Sequence, residues 1–330
     1  MRLGKVLTSV VFGSLLLACN LTLYRTHAYA QEYPSRNVTI IVPFPAGGGN
    51  DIFARLIGQR LAAAFGRTVI VDNRPGASGN IGAEAVVRAA PDGHTILYGN
   101  ANVATTQVVP PKPAFDPQRD LAPVSMTVLI PFVLVAHPSL PVRNVKDLLA
   151  LAKAQPGNLT FSAVTGSITH LAMELLKLDT KLDARYVPYK GAAPAITDIV
   201  GGQGVDGIAV DLSAVLPFVK SGKLRALGVT SERRNAEMPN VRTMAEQGLP
   251  ELSGGNWFAV LGPAKLPPAL VATLHGALVK VVASPDFKEK LVASGSDPLS
   301  SDTPEALKQL IKSEFARWGR VVKAANIQSE

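Results

Sequence analysis

Apolar positions along this chain fall into two alternating periods. Residues 38–42 read Val-Thr-Ile-Ile-Val, a continuous β-branched run suited to a strand buried on both faces. Directly afterwards Ile52, Phe53, Leu56, Ile57, Leu61 and Phe65 recur at helical spacing, and Gly66 stands where such a helix would end. Residues 68–71 return to a strand pattern, 82–90 to a helical one and 95–98 to a strand, giving the order β-α-β-α-β.

The alternation resumes beyond Pro138. Helical patterns cover 145–154, 168–178 and 192–200, and strand patterns cover 159–163, 184–188 and 205–210. Two later strands are expected at 223–229 and 257–261, and three helices close the chain. Ser284-Pro285 and Thr303-Pro304 mark two of their starts, each setting a capping hydroxyl before a proline at the first helical position. Strands alternating with helices predict mainly parallel sheets flanked by helices. The change of unit near residue 130 predicts two lobes, with the late strand and the C-terminal helices returning to the first.

Composition narrows the class. With 47% hydrophobic and 18% charged side chains among 330 residues, each lobe can bury a core of its own. The single cysteine, Cys19, excludes an intramolecular disulfide and a thiolate metal cluster. Arg2 and Lys5 precede an apolar stretch over 6–18, and Ala28-Tyr29-Ala30 puts small residues where signal peptidase reads. Residues 1–30 are therefore expected to be a secretory signal cleaved near Ala30, and the mature protein to be periplasmic. Leu16-Leu17-Ala18-Cys19 is also similar to a bacterial lipobox, which would instead anchor the chain through Cys19. Of the 33 Lys and Arg residues, Arg2, Lys5 and Arg25 fall in this segment, leaving 30 against 25 acids. That mild excess, with no long basic run, gives no reason to expect nucleic-acid binding.

Catalytic motifs are mostly missing from the sequence. It has no Gly-x-Ser-x-Gly elbow, no Walker-type lysine loop and no His-Glu-x-x-His, and Gly47-Gly48-Gly49 lacks the remainder of a dinucleotide fingerprint. No two of His94, His137, His170 and His275 stand at metal-ligand spacing. No cofactor and no metal are expected.

The informative segment is Pro43-Phe44-Pro45-Ala46-Gly47-Gly48-Gly49-Asn50-Asp51, between a strand and an amphipathic helix. Glycine lets the backbone approach a ligand closely, and the unpaired N–H groups of a helix's first turn favour an anion. A plain strand-to-helix turn capped by Asn50 or Asp51 is the structural alternative. Val164-Thr165-Gly166-Ser167-Ile168-Thr169-His170 repeats the arrangement in the second unit, with an ordinary Ser/Thr cap as its alternative. Ligands of open α/β sheets bind beyond the carboxyl ends of strands, so facing lobes would bring both loops to one cleft.

Asn100, Asn102 and Asp211 each follow a predicted strand on that side. Asp211 is suited to accept from a ligand hydroxyl, an amine or a bound water, or else to cap a helix before Ser213. Asn73-Arg74-Pro75-Gly76 reads first as a tight turn, with Arg74 structural, and Lys190 as a solvated loop charge. Phe44, Val103 and Ile168 suggest an apolar wall.

These segments, together with Tyr33-Pro34-Ser35-Arg36, Ala90-Pro91-Asp92-Gly93, Val187-Pro188-Tyr189-Lys190-Gly191 and Gly222-Lys223-Leu224-Arg225-Ala226-Leu227, closely resemble the substrate-binding proteins of tripartite tricarboxylate transporters, the Bug (Bordetella uptake gene) receptors. The resemblance covers residues 32 to 328. It implies a two-lobed, type II periplasmic-binding-protein-like α/β fold: residues 31–129 and 250–330 in lobe I, 130–249 in lobe II, and a ligand cleft between them. It further implies a non-catalytic receptor that closes over a small organic acid held by backbone amides and ordered waters. Carried over, the contacts would be Phe44, Ala46, Gly47, Gly48, Gly49 and Asn50 from lobe I. Those from lobe II would be Thr165, Gly166, Ser167, Ile168, Thr169 and His170, with Asp211 nearby. Many members show Phe-Asp-Asn where this chain has Ala209-Val210-Asp211, so the resemblance is looser there. Ser253-Gly254-Gly255-Asn256 is richer in glycine than the resemblance implies.

A monomer delivering its ligand to a membrane permease or a sensor kinase is the expected context. The rival class is an exported α/β hydrolase or transferase using Ser167 or Thr165 with His170. A triad needs nucleophile, base and orienting carboxylate aligned, and no carboxylate stands at a recognisable spacing.

Overall fold

The computed structural model describes residues 33–110 and 112–327. The expected signal, with its cleavage site and Cys19, lies outside these residues. Strand β1 (Val38–Val42) runs between β2 (Val69–Asn73) and β3 (Thr95–Asn100), parallel to both. Its unbroken apolar run is explained by cover on both faces. On one side Ile40 meets helix α1 (Gly49–Phe65) at Gly58, where a methyl group would lie 3.6 Å from Ile40 Cδ1. On the other, Ile41 packs with Ala83 and Val86 of α2 (Asn80–Val87). As expected, α1 ends at Gly66, in the left-handed conformation (φ 62°).

Beyond the short helices α3 (Asn102–Thr105) and α4 (Pro117–Asp120) comes an element that sequence reading missed, the 16-residue strand β4 (Leu121–Ala136). It contains two prolines, Pro123 and Pro131, which the ladder accommodates. The pairing slips between Pro123 and Ser125, and Pro131 stands where β4 changes neighbours.

The second unit follows as α5 (Val145–Ala154), β5 (Leu159–Val164), α6 (Ile168–Thr180), β6 (Ala184–Tyr189), α7 (Ala192–Val200) and β7 (Gly207–Asp211). Then come α8 (Leu212–Lys220), which carries Pro217 inside it, β8 (Arg225–Val229) and β9 (Gly255–Pro263). The sheet order is β2-β1-β3-β9-β4-β7-β5-β6. From Leu121 to Pro131, β4 pairs antiparallel with β9; from Phe132 to Ala136 it pairs with β7 and, in part, with β8. One strand thus joins the sheets of the two lobes. Each sheet is parallel in its outer strands and antiparallel where β4 and β9 meet it.

The crossing explains the Gly254-Gly255 pair. A Cβ on Gly255 would lie 2.3 Å from the Ile130 carbonyl oxygen, so only glycine lets β9 approach β4 here. Gly254 adopts φ 131° and donates to the Thr230 carbonyl (2.8 Å). The Thr230 hydroxyl accepts from Phe132 N (2.8 Å) and donates to Gly254 O (2.8 Å), tying the chain passages together.

The closing helices are α9 (Pro268–Ala283), α10 (Pro285–Ala293) and, after the two-residue strand β10 (Asp297–Pro298) on β4, α11 (Pro304–Ala325). Helix α9 returns to the first sheet, against α1 and β4, while α11 packs on β4 and α3 and also reaches α6. Thr303 caps α11 as expected, accepting from Ala306 N (3.1 Å). Ser284 does not cap α10: it also ends α9, and its hydroxyl donates back to Val281 O (2.7 Å). Among the described residues no single helix is long and apolar enough to cross a membrane.

Candidate functional site

The first glycine loop leaves β1 and enters α1 without a side-chain cap, against the capping alternative for Asn50 or Asp51. The first-turn N–H groups, which have no partner inside a helix, are thereby left for a bound group. Asp51 instead turns back into the loop, accepting from Gly47 N (2.9 Å) and Arg55 Nε (3.0 Å). The Arg55 hydrogen bond outweighs burial and holds the carboxyl below its ordinary pKa. Asn73 of the expected turn braces the same loop, donating from Nδ2 to Phe44 O (3.1 Å). Arg74 pairs with Asp72 (2.9 Å), consistent with a structural role. Ala46, Gly47, Gly48 and Gly49 are exposed and Phe44 is half-buried.

Asn50 points inward. Its Nδ2 donates to Tyr98 O (3.4 Å), its Oδ1 accepts from Asn100 Nδ2 (3.3 Å), and Asn100 Oδ1 accepts from Asn102 N (3.2 Å). This chain of amides fixes the start of α1 against the end of β3.

The second loop is held by its own side chains. Ser167 caps α6, accepting from His170 N (3.2 Å), and its hydroxyl also bonds Thr169 (3.0 Å). Gly166, at φ 72°, donates its N–H to His170 Nδ1 (3.1 Å), so that amide is already engaged. Thr165 shares a hydroxyl bond with Tyr186 (2.9 Å), whose ring stacks on His170. Burial lowers the His170 pKa, Glu174 opposes that shift and Lys177 adds to it. The His170 imidazole makes no bond to the Ser167 or Thr165 hydroxyl; its Nδ1 is spent on backbone and its Nε2 lies 3.9 Å from Glu174. The loop thus lacks the serine–histidine hydrogen bond that nucleophilic catalysis needs.

A cleft of about 940 Å³ is lined by Gly49, Asn50, Asn100 and Asp211 together with Asn256 of β9 and Lys290 of α10. A much smaller apolar pocket gathers Phe44, Asn100, Asn102 and Val103. Val103 and Ile168 share one apolar cluster with Phe132 and Trp257, drawing the two lobes together. Thr165, Gly166, Ser167, Thr169 and His170 line neither cavity.

Asp211 does not cap α8. Its Oδ2 accepts from Asn256 Nδ2 (3.1 Å), while its Oδ1 and Asn256 Oδ1 are buried without a partner. Desolvation pushes the Asp211 carboxyl up to about 6, against the hydrogen bond from Asn256. Sequence reading missed Asn256 and Lys290; the unexplained glycines beside Asn256 were the available signal.

Fold and site together define a two-lobed α/β solute-binding protein. The family model for the tripartite tricarboxylate transporter family receptor matches residues 53–327, and the chain belongs to that family. Protein BugT of Bordetella pertussis is 37% identical over 297 residues, 89% of this chain and 90% of that protein. The structure of R. palustris Rpa4515 with adipate is 34% identical with a TM-score of 0.78, covering 90% of this chain and 99% of that one. MatC from Rhodopseudomonas palustris with bound malate is 31% identical with a TM-score of 0.74, covering 88% and 100%. The chain is therefore a solute-binding receptor and not an enzyme, which removes the hydrolase alternative.

Proposed function

We propose that this receptor captures a small organic acid in the cleft between its lobes, in the periplasm, and delivers it to a tripartite membrane transporter. The observation that carries the reading is the uncapped start of α1 at the cleft, where Gly49 and Asn50 offer backbone N–H groups to a carboxylate. Solved relatives hold adipate and malate, both small carboxylates, which supports the ligand class. The basic and apolar start of the chain, with Ala28-Tyr29-Ala30, supports export and cleavage near Ala30.

Phe44, Ala46, Gly47, Gly48, Gly49, Asn50, Asn100 and Asn102 are the first-lobe contacts in this reading, and Thr165 to His170 with Asp211 the second-lobe contacts. The lobes comprise 31–129 with 250–330, and 130–249. In support of that division, β4 changes partners at Pro131 and Phe132, and the chain recrosses at Gly254-Gly255. Closure about this crossing removes water from the carboxylate and strengthens its hydrogen bonds. The test is a thermal-shift screen of residues 31–330 with mono-, di- and tricarboxylates. A midpoint rise with at least one supports the proposal, and no rise with any of them overturns the ligand class.

A further inference from the structure

We propose that Asp211 and Asn256 form an acceptor subsite that selects a ligand carrying an amino or hydroxyl group beside its carboxylate. This rests on the receptor reading above. The two residues meet across β4, where Phe132 pairs with Asp211 and Ile130 pairs with Asn256, and both line the cleft with Asn50 and Asn100. Asn256 uses one amide hydrogen on Asp211 Oδ2. Each side chain keeps a buried Oδ1 that no protein group reaches.

No neighbouring side chain is bonded to either oxygen. Asn50 Nδ2 donates to Tyr98 O and Asn100 Nδ2 to Asn50 Oδ1, and Lys290 is exposed. Two unpaired acceptors at the wall of a binding cleft call for a donor on the ligand. A second carboxylate there would bring lone pairs against lone pairs, whereas an ammonium can donate to both oxygens and a hydroxyl to one of them. Sites built to hydrogen-bond a ligand N–H or O–H reject the analogue that lacks it far more strongly than apolar pockets reject a missing methylene.

Titration calorimetry on residues 31–330 with acids matched in carbon skeleton tests this: propionate, lactate and alanine; succinate, malate and aspartate; glutarate, 2-hydroxyglutarate and glutamate. The tightest binder is expected to be a hydroxy or amino acid, at least about 10-fold tighter than its unsubstituted partner. Asp211→Leu and Asn256→Leu should each shrink that gap. An unsubstituted acid that binds as tightly as its substituted partners, or a gap that survives in both folded variants, overturns the subsite and leaves the receptor reading intact. If no acid binds, the proposed ligand class falls and the subsite with it. Circular dichroism and unliganded melting check the variants. Should either fail to fold, the wild-type comparison alone still decides.

Discussion

The rings of His170 and Tyr186 lie face to face, with centroids 4.5 Å apart and planes 16° from parallel. A residue with the look of a catalytic base is thereby fixed as a brace. One ring face is covered, Nδ1 accepts from Gly166, and the Tyr186 hydroxyl continues to Thr165 and to Ala163 O (3.2 Å).

Removing this brace should cost stability before anything else. His170→Ala leaves Gly166 N–H without its acceptor and is expected to destabilise by about 1–3 kcal/mol; Tyr186→Phe, losing only the hydroxyl bonds, by about 1 kcal/mol. Urea unfolding measures both, and a larger loss for Tyr186→Phe would contradict the assigned roles.

The pH dependence has two opposed parts. Asp211 titrates near 6 when folded against 3.8 for the ordinary group, so its contribution is present below pH 3.8 and is lost as pH rises through about 6. A rise of that size corresponds to roughly 3 kcal/mol. His170, with its folded pKa lowered from 6.5, works the other way: its contribution is present above pH 6.5 and is lost as pH falls through the folded value. Asp211→Asn should therefore gain stability relative to wild type between pH 4 and pH 6, read from melting midpoints across that range. A constant difference across the range would contradict the assignment.

At the crossing of β4 and β9, Gly255→Val should prevent folding or cost more than about 4 kcal/mol, because backbone occupies the space its Cβ requires. Gly48→Phe should be nearly neutral for stability, since Gly48 has φ −80° and the nearest atom to its Cβ is Pro45 O at 3.5 Å. Thermal melting of the two variants separates the structural glycine from the one assigned to the ligand.

What was legible in the sequence followed from local pattern. Buried strands such as β1 and β5 and amphipathic helices such as α5 and α7 carry their period in the residues themselves, and Gly66 and Thr303 mark ends by local chemistry. Strand β4 was hidden because Pro123 and Pro131 are tolerated only through slips and a change of neighbour that other strands provide. Helix α8 was foreshadowed only by Asp211 as the alternative cap before Ser213, since Pro217 lies inside it. At the site, both loops announced themselves through glycines and hydroxyls at strand ends. The link from Asp211 to Asn256 spans 45 residues and exists only through pairing with β4, which no local pattern reveals.

The central claim is that a small carboxylate binds at the uncapped start of α1. Its most direct measurement is calorimetric titration of wild type and Gly48→Phe with the acid that gives the largest thermal shift. A ligand at 100 times its Kd adds about 2.7 kcal/mol, enough to raise the melting midpoint by several degrees. Saturable binding to wild type at one site, lost in a Gly48→Phe variant that melts as wild type does, is the predicted result. Equal binding by both proteins would place the carboxylate elsewhere and contradict the account.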